Sequence, residues 1–392
     1  MRIAVIGAKG LPPRQGGIEH QCAELYPRIR SLGHTVDVFA RSSYTGLPWF
    51  YEDNYKGVRI ISLPGLYHGG VDALTSSAIG TIASLRSNYD IVHFHALGPS
   101  LFSWLPRFVS SSTKVVVTCH GLDWQRQKWG KSSSNLILAG EKIAVRYAHG
   151  LIVVSKELRS YFRKTYNREA IYIPNAPAGY PASDPTFSYG SSLGLIQKRY
   201  IVFLGRLVPE KCPDLLIKAF QKLQLEEWKL VLVGGSSDTP SFTTWLSNLA
   251  AGNPNIIFTG QLGGSRLAEI VRDAGLFVLP SSLEGLPLAM LEAMQEGVPV
   301  IASNIPPHQQ LLDEGRGMLF QPGDVESCAH CLKQAISHPQ KMTIMAERAR
   351  KHVQEYYNWE TIVAENLRLY KTLIAEFQTS TPAANQLQKA TK

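Results

Sequence analysis

Among the 392 residues, no apolar run approaches the roughly 20 needed to cross a bilayer. The least charged stretch, Gly65 to Leu85, is broken by His68, Asp72 and several serines and threonines. The opening Met1-Arg-Ile-Ala-Val-Ile-Gly7 is interrupted by Gly7 and Lys9 too soon for a secretory apolar core, so it reads as a first strand and the chain as a soluble protein. Cysteine is scarce. Cys22, Cys119, Cys212, Cys328 and Cys331 are an odd number spread over predicted helices and strands, which fits a reducing compartment. Cys328-Ala-His-Cys331 has no second pair of ligands and sits in an amphipathic helical pattern, so it reads as structural rather than metal-binding. Charged residues make up only 18% against 44% hydrophobic, a globular balance.

The net charge of +9 is unevenly spread: residues 1–190 carry 21 Lys and Arg against 12 Asp and Glu, and residues 191–392 carry 19 of each. The whole surplus lies in the first half, which suits nucleic acid, an anionic membrane surface or a phosphate-bearing substrate, or simply solubility.

The length favours two domains. Short runs rich in Val and Ile alternate with helical patterns, which predicts an α/β fold of parallel sheets built from βαβ units. Strands are expected at Arg2–Ile6, Thr35–Phe39, Val58–Ser62, Ile91–Phe94, Lys114–Cys119, Gly150–Val154 and Ala170–Ile173, with helices such as Gly17–Ser31 and Asn135–Ala148. A cluster of breakers from about 180 to 199 reads as a linker. A second series follows at Tyr200–Leu204, Lys229–Val233, Asn255–Thr259, Leu276–Leu279 and Pro299–Ala302, with helices Asp214–Leu223 and Leu288–Glu296. The expected organisation is an N-terminal Rossmann-like domain over 1–190, a second over 191–355, a helix over 356–378 crossing back to the first, and a disordered tail over 379–392. Ligands of such doubly wound sheets bind beyond the carboxyl ends of the strands, so the strand-end loops are where chemistry is expected.

Three of those loops are suggestive. After the first strand, Gly16-Gly17 stand just before a helix, where free N–H groups and close backbone approach suit a diphosphate, although a tight turn explains them as well. After Tyr200–Leu204 comes Gly205-Arg-Leu-Val-Pro-Glu-Lys-Cys212, whose Arg206 and Lys211 suit a leaving diphosphate on which negative charge builds; otherwise they are solvated surface charges. After Leu276–Leu279 comes Pro280-Ser-Ser-Leu-Glu-Gly-Leu-Pro-Leu-Ala-Met-Leu-Glu292, in which a separation of eight, near two helical turns, puts Glu284 and Glu292 on one side. Glu292 can accept two ribose hydroxyl protons, with Glu284 and the amides of Gly285 and Leu286 beside sugar and phosphates. An ordinary acidic helix start is the plainer reading.

The GRLxPEK segment, the EGLPLAMLEAM segment, the GVPVIASN that follows and the order of elements resemble family 4 glycosyltransferases of the GT-B fold over nearly the whole chain. The resemblance implies two Rossmann-like domains facing across a cleft and a retaining, metal-independent hexosyltransferase with no cofactor. It implies a sugar-nucleotide donor (UDP-, GDP-, ADP- or dTDP-sugar) and front-side attack in which the leaving phosphate takes the acceptor's proton. Arg206 and Lys211 match the diphosphate cations, Glu292 the ribose carboxylate, and Glu284 the acid near the transferred sugar. His120, after Lys114–Cys119, matches the histidine that touches the sugar, although a lone strand-end histidine is more often simply packed. Gly16, Gly17, Gly234, Gln261, Leu262, Gly285, Leu286 and Pro287 would complete the donor site.

Arg14-Gln-Gly-Gly-Ile-Glu19 and Gly121-Leu-Asp-Trp-Gln-Arg-Gln-Lys-Trp129 further resemble rhamnosyltransferase-like members, though Gln15 and Ile18 depart from the usual aromatic residues. They suggest Glu19, Asp123, Trp124 and Arg126 for a glycan or lipid-linked acceptor. Expected partners are thus donor, acceptor and an anionic membrane surface rather than nucleic acid. The expected location is cytoplasmic, peripheral to the inner membrane face, with Lys142–Arg146 and Arg159–Arg168 as docking segments. A sugar-nucleotide epimerase, a phosphorylase and a non-catalytic sugar-nucleotide-binding protein share this scaffold, and a nicotinamide oxidoreductase is disfavoured by the glycine spacing of the first loop.

Overall fold

The computed structural model describes residues 1–14, 16–65, 69–126, 130–235 and 240–380. Two compact units account for them. The first is residues 1–125, 130–175 and 359–380; the second is residues 176–358 together with Arg126.

Eight strands form the first unit's sheet: β1 (Arg2–Ile6), β2 (Thr35–Arg41), β3 (Glu52–Tyr55), β4 (Val58–Leu63), β5 (Ile91–His95), β6 (Lys114–Cys119), β7 (Gly150–Val153) and β8 (Ile171–Tyr172). Their order is β3-β4-β2-β1-β5-β6-β7-β8, parallel except for the β3/β4 hairpin at the edge. β5, β6 and β7 are buried along their whole length, which is why they read as continuous apolar runs and not as alternating ones.

The second unit's sheet has β9 (Tyr200–Leu204), β10 (Lys229–Val233), β11 (Ile256–Gly260), β12 (Leu276–Leu279), β13 (Val300–Ser303) and β14 (Met318–Phe320), in the order β11-β10-β9-β12-β13-β14 and all parallel. Both units are therefore doubly wound.

The expected strands are present, five with the expected bounds and the others with ends shifted by one or two residues; β3 and β14 are additions. The expected boundary at 190 moves to 175, for a packing reason. The breaker-rich stretch belongs to the second unit: Phe187 is buried with its ring 6.2 Å from that of Tyr200, and the amide of Gly190 donates to Glu269 Oε1 at 2.8 Å. Arg272 holds the segment before it through the carbonyls of Tyr180 (3.3 Å) and Pro181 (2.9 Å). The C-terminal helix, expected over 356–378, runs Trp359–Ser380 within the first unit, burying Ile362 and Tyr370. Of the tail expected to be disordered, residues 381–392 lie outside the described residues. Cys328 and Cys331 are buried on the helix Val325–Ser337, where burial pushes both thiols up, in keeping with a packing role.

Candidate functional site

In the second unit the winding reverses at β9, which has β10 on one side and β12 on the other. Chains leaving β9 and β12 diverge there, and such a switch point opens a crevice at the carboxyl edge of a parallel sheet. The two charged motifs occupy these two loops. They are tied together: the amide of Ser282 donates to the carbonyl of Glu210 at 2.9 Å, and Lys211 Nζ meets Glu284 Oε1 at 2.6 Å. Burial alone would push Glu284 up, but the charges of Lys211 and then His308 outweigh it and hold the carboxyl below its usual range.

Arg206 lies 4.0 Å from Oε1 of Glu210, a buried carboxylate neither of whose oxygens has a hydrogen-bond partner among the described residues. Neighbouring strand ends join the same edge. Gly205 N donates to Val233 O at 3.0 Å, Leu207 N to Gly235 O at 3.3 Å, and Gly234 N to Gly260 O at 2.9 Å, which brings Gly234 beside the Arg206 loop and the Gln261-Leu262 turn close behind it. At Gly234, φ is +154° and a Cβ would stand 1.8 Å from the Gly205 carbonyl oxygen, so only glycine permits this approach. Ser236, Ser237 and Asp238, which follow Gly235 in the sequence, lie outside the described residues.

Glu284 and Glu292 are not paired by helical period as expected. The helix spans Leu288–Gln295, so Glu292 is on it while Glu284, Gly285, Leu286 and Pro287 belong to the loop before it. Glu292 instead accepts a 2.9 Å hydrogen bond from the hydroxyl of Tyr180. Burial pushes its carboxyl up to about 7; Tyr180 pulls it down and Glu296 adds to the rise. Tyr180, Glu210 and His308 were not singled out from the sequence. His308 is buried, with Nδ1 2.8 Å from the Ser303 carbonyl oxygen, and burial depresses it to about 4.

In the first unit, Gly7 ends β1 at φ +104°, where a Cβ would stand 2.2 Å from the His95 carbonyl oxygen. Gly16, at φ +96°, precedes the helix Gly17–Ser31. Glu19, expected at the acceptor, is 3% exposed, and its Oε1 accepts the Lys9 amide at 3.0 Å, so the carboxylate braces its own loop. His120 follows β6 and is half-buried, its Nε2 3.0 Å from His95 Nδ1. Asp123 and Trp124 lie in the next turn. The indole of Trp124 is held at 3.0 Å by Glu141, a wholly buried carboxylate that also accepts the hydroxyls of Tyr161 (2.7 Å) and Tyr166 (2.6 Å). Arg126 is counted with the second unit, and Asp123 and Trp124 with the first. Residues 127–129 of that motif and Gln15 lie outside the described residues.

Two family profiles match this chain. One, described as Glycosyltransferase Family 4, covers residues 15–176, and the other, Glycosyl transferases group 1, covers residues 193–352. The chain belongs to the family 4 glycosyltransferases. This glycosyltransferase is 34% identical to a sulfoquinovosyl transferase of Arabidopsis thaliana over 84% of its own length and 65% of the relative's. Its fold is GT-B, two Rossmann-like units. Sucrose-phosphate synthase from Thermosynechococcus elongatus superposes with a TM-score of 0.82 at 23% identity, over 96% of this chain and 99% of that one. HepE of Anabaena, solved with UDP-glucose, superposes with a TM-score of 0.75 at 18% identity, over 97% and 99%. No helix among the described residues of the glycosyltransferase is long and apolar enough to cross a membrane.

Proposed function

We propose that this glycosyltransferase moves a hexose or deoxyhexose from a sugar nucleotide to a glycan or lipid-linked acceptor, with retention of configuration and without a metal. The observation that carries this reading is the Lys211–Glu284 pair at 2.6 Å beside Arg206, on two adjoining strand ends of the second unit. Two fixed cations at a switch point are matched to a diphosphate that gains negative charge as the glycosidic bond breaks. Glu292 takes the ribose hydroxyls, and Gly234, Gln261, Leu262, Gly285, Leu286 and Pro287 line the nucleotide site. Gly16 and Gly17 offer backbone to the diphosphate. His120 is the first unit's contribution to catalysis, and Asp123 and Trp124 are its acceptor contacts. The leaving phosphate accepts the acceptor's proton, so no protein nucleophile is required.

A UDP-sugar is the first donor to try, since HepE was solved with UDP-glucose. The basic surplus of residues 1–190 supports a phosphate-bearing acceptor at an anionic membrane face, approached through Lys142–Arg146 and Arg159–Arg168. Screening UDP-, GDP-, ADP- and dTDP-sugars for binding and slow hydrolysis, with the anomer of the released sugar read by NMR, tests the reading. One nucleotide class is expected to bind and release sugar of unchanged anomeric configuration in the presence of a chelator. Inverted product, metal dependence, or a sugar altered without being released would overturn it, the last in favour of an epimerase.

A further inference from the structure

Behind His120 the first unit buries a connected row of side chains. His95 Nδ1 lies 3.0 Å from His120 Nε2, and His95 Nε2 lies 2.6 Å from the Tyr26 hydroxyl. That hydroxyl is also 3.1 Å from His93 Nδ1, which in turn is 2.7 Å from the hydroxyl of Tyr370 on the C-terminal helix. The row ends at Thr118, whose Oγ1 is 2.7 Å from His93 Nε2. The rings of His95 and His120 stack at 5.3 Å and 21°.

Hydrogen counting orders the row. Burial drives His93 down to about 3 and His95 well below its usual value, so both are neutral, and burial raises Tyr26 and Tyr370, so both keep their hydrogens. A neutral imidazole has one N–H and a tyrosine one O–H. Only two consistent orders exist along His120, His95 and Tyr26. In one, Tyr26 donates to His95 Nε2, His95 donates from Nδ1 to His120 Nε2, and Tyr370 donates to His93 Nδ1. In the other, His120 donates from Nε2 to His95 Nδ1 and His95 donates from Nε2 to Tyr26, whose own hydrogen then goes to Tyr370 or to His93. The Tyr26–His95 contact chooses between them: at 2.6 Å it is shorter than the roughly 2.7–3.2 Å of an N–H···O bond and fits the tyrosine hydroxyl as the donor.

We propose that His95, held by Tyr26, is a positioning residue for His120: by donating from Nδ1 to His120 Nε2 it fixes the tautomer of His120 whose own N–H is on Nδ1. His120 then carries its hydrogen on Nδ1, in one ring orientation. The effect of this on turnover rests on the catalytic reading of His120 given above; the order of donation does not.

Nitrogen NMR of the full chain labelled with 15N-histidine tests the order directly, with the His120 signals identified by their loss in His120→Asn. The expected result is a protonated Nδ1 and an accepting Nε2. Tyr26→Phe removes one oxygen, keeps the ring, and takes away the donor to His95 Nε2; a large fraction of His120 should then carry its hydrogen on Nε2. His95→Leu should leave His120 a mixture, whereas His95→Asn, which keeps an N–H near the place of Nδ1, should restore the native form. A native His120 protonated on Nε2, or native spectra in both Tyr26→Phe and His95→Leu, would overturn the proposal. In donor hydrolysis, Tyr26→Phe and His95→Leu should lower kcat by about tenfold or more, as a wrong tautomer does, with little change in KM. A changed tautomer with unchanged kcat would instead remove His120 from catalysis and leave the order of donation standing.

Discussion

Tyr180 donates its hydroxyl to Oε2 of Glu292 across 2.9 Å, and Arg272, paired with Glu296 at 2.6 Å, holds the backbone that carries Tyr180. The carboxylate proposed for the ribose is thus ordered by a segment 112 residues away in the chain.

Burial of this carboxylate sets a pH dependence. Glu292 titrates at about 7, and only its ionised form can accept both ribose hydroxyls. Nucleotide affinity should therefore rise through pH 7 and fall below it, by up to about tenfold per pH unit. Glu292→Gln should weaken binding by about 1.5–3 kcal/mol and flatten the profile, because charged hydrogen bonds are lost together with the titration. Tyr180 stabilises the ionised form, so Tyr180→Phe should move the midpoint upward. Calorimetry with the nucleoside diphosphate from about pH 6 to about pH 8 checks both, and a wild-type affinity level across that range would count against the ribose role.

The cation pair should separate chemistry from folding. Arg206→Ala should lower donor turnover by roughly a hundredfold, the scale for losing a preorganised electrostatic contact. Lys211→Ala should do the same and also destabilise the second unit by about 3 kcal/mol, because Glu284 is left buried without its partner. Urea unfolding of Lys211→Ala, Glu284→Ala and the double variant measures the coupling; strictly additive losses would mean that the pair is not an energetic unit.

Glu141 anchors the turn that carries Trp124. Its two carboxylate oxygens accept from one indole and two phenols, so Glu141→Ala would strand three donors in a buried site at a cost of roughly 3–5 kcal/mol. A marked drop in the urea midpoint and a red-shifted tryptophan emission are expected.

Gly234→Ala should be poorly tolerated, since the added Cβ would stand 1.8 Å from a carbonyl oxygen at an unfavourable φ. A loss of roughly 2–4 kcal/mol in unfolding free energy, with weakened nucleotide binding as the Arg206 loop shifts, is the expected outcome.

Much of this was legible in the sequence because it depends on local rules. β1, β6, β9, β10 and β12 carry the expected bounds, since buried parallel strands are uninterrupted runs of Val, Ile and Leu. The Arg206 and Glu284 loops were readable as strand-end motifs. β3 was not, because Glu-Asp-Asn-Tyr is polar, as an exposed edge should be; its nearest signal was Lys56-Gly57, the left-handed pair that turns it into β4. Tyr180 and the His95 row escaped for a different reason. Their meaning lies in a hydroxyl or ring nitrogen reaching a partner far along the chain, and no spacing rule encodes that. The linker was misplaced because Gly, Pro and Ser mark irregular backbone, and irregular backbone can still be firmly packed, as Phe187 and Gly190 are.

Tyr370 belongs to the last helix, yet it completes a row begun by Tyr26 and His93. Synthesis on the ribosome therefore delivers most of the first unit long before its final component, and the entire second unit is translated in between. Until that helix emerges, the nascent first unit keeps its histidine row uncovered at one end. A chaperone that shields this face would protect the half-finished protein during that interval.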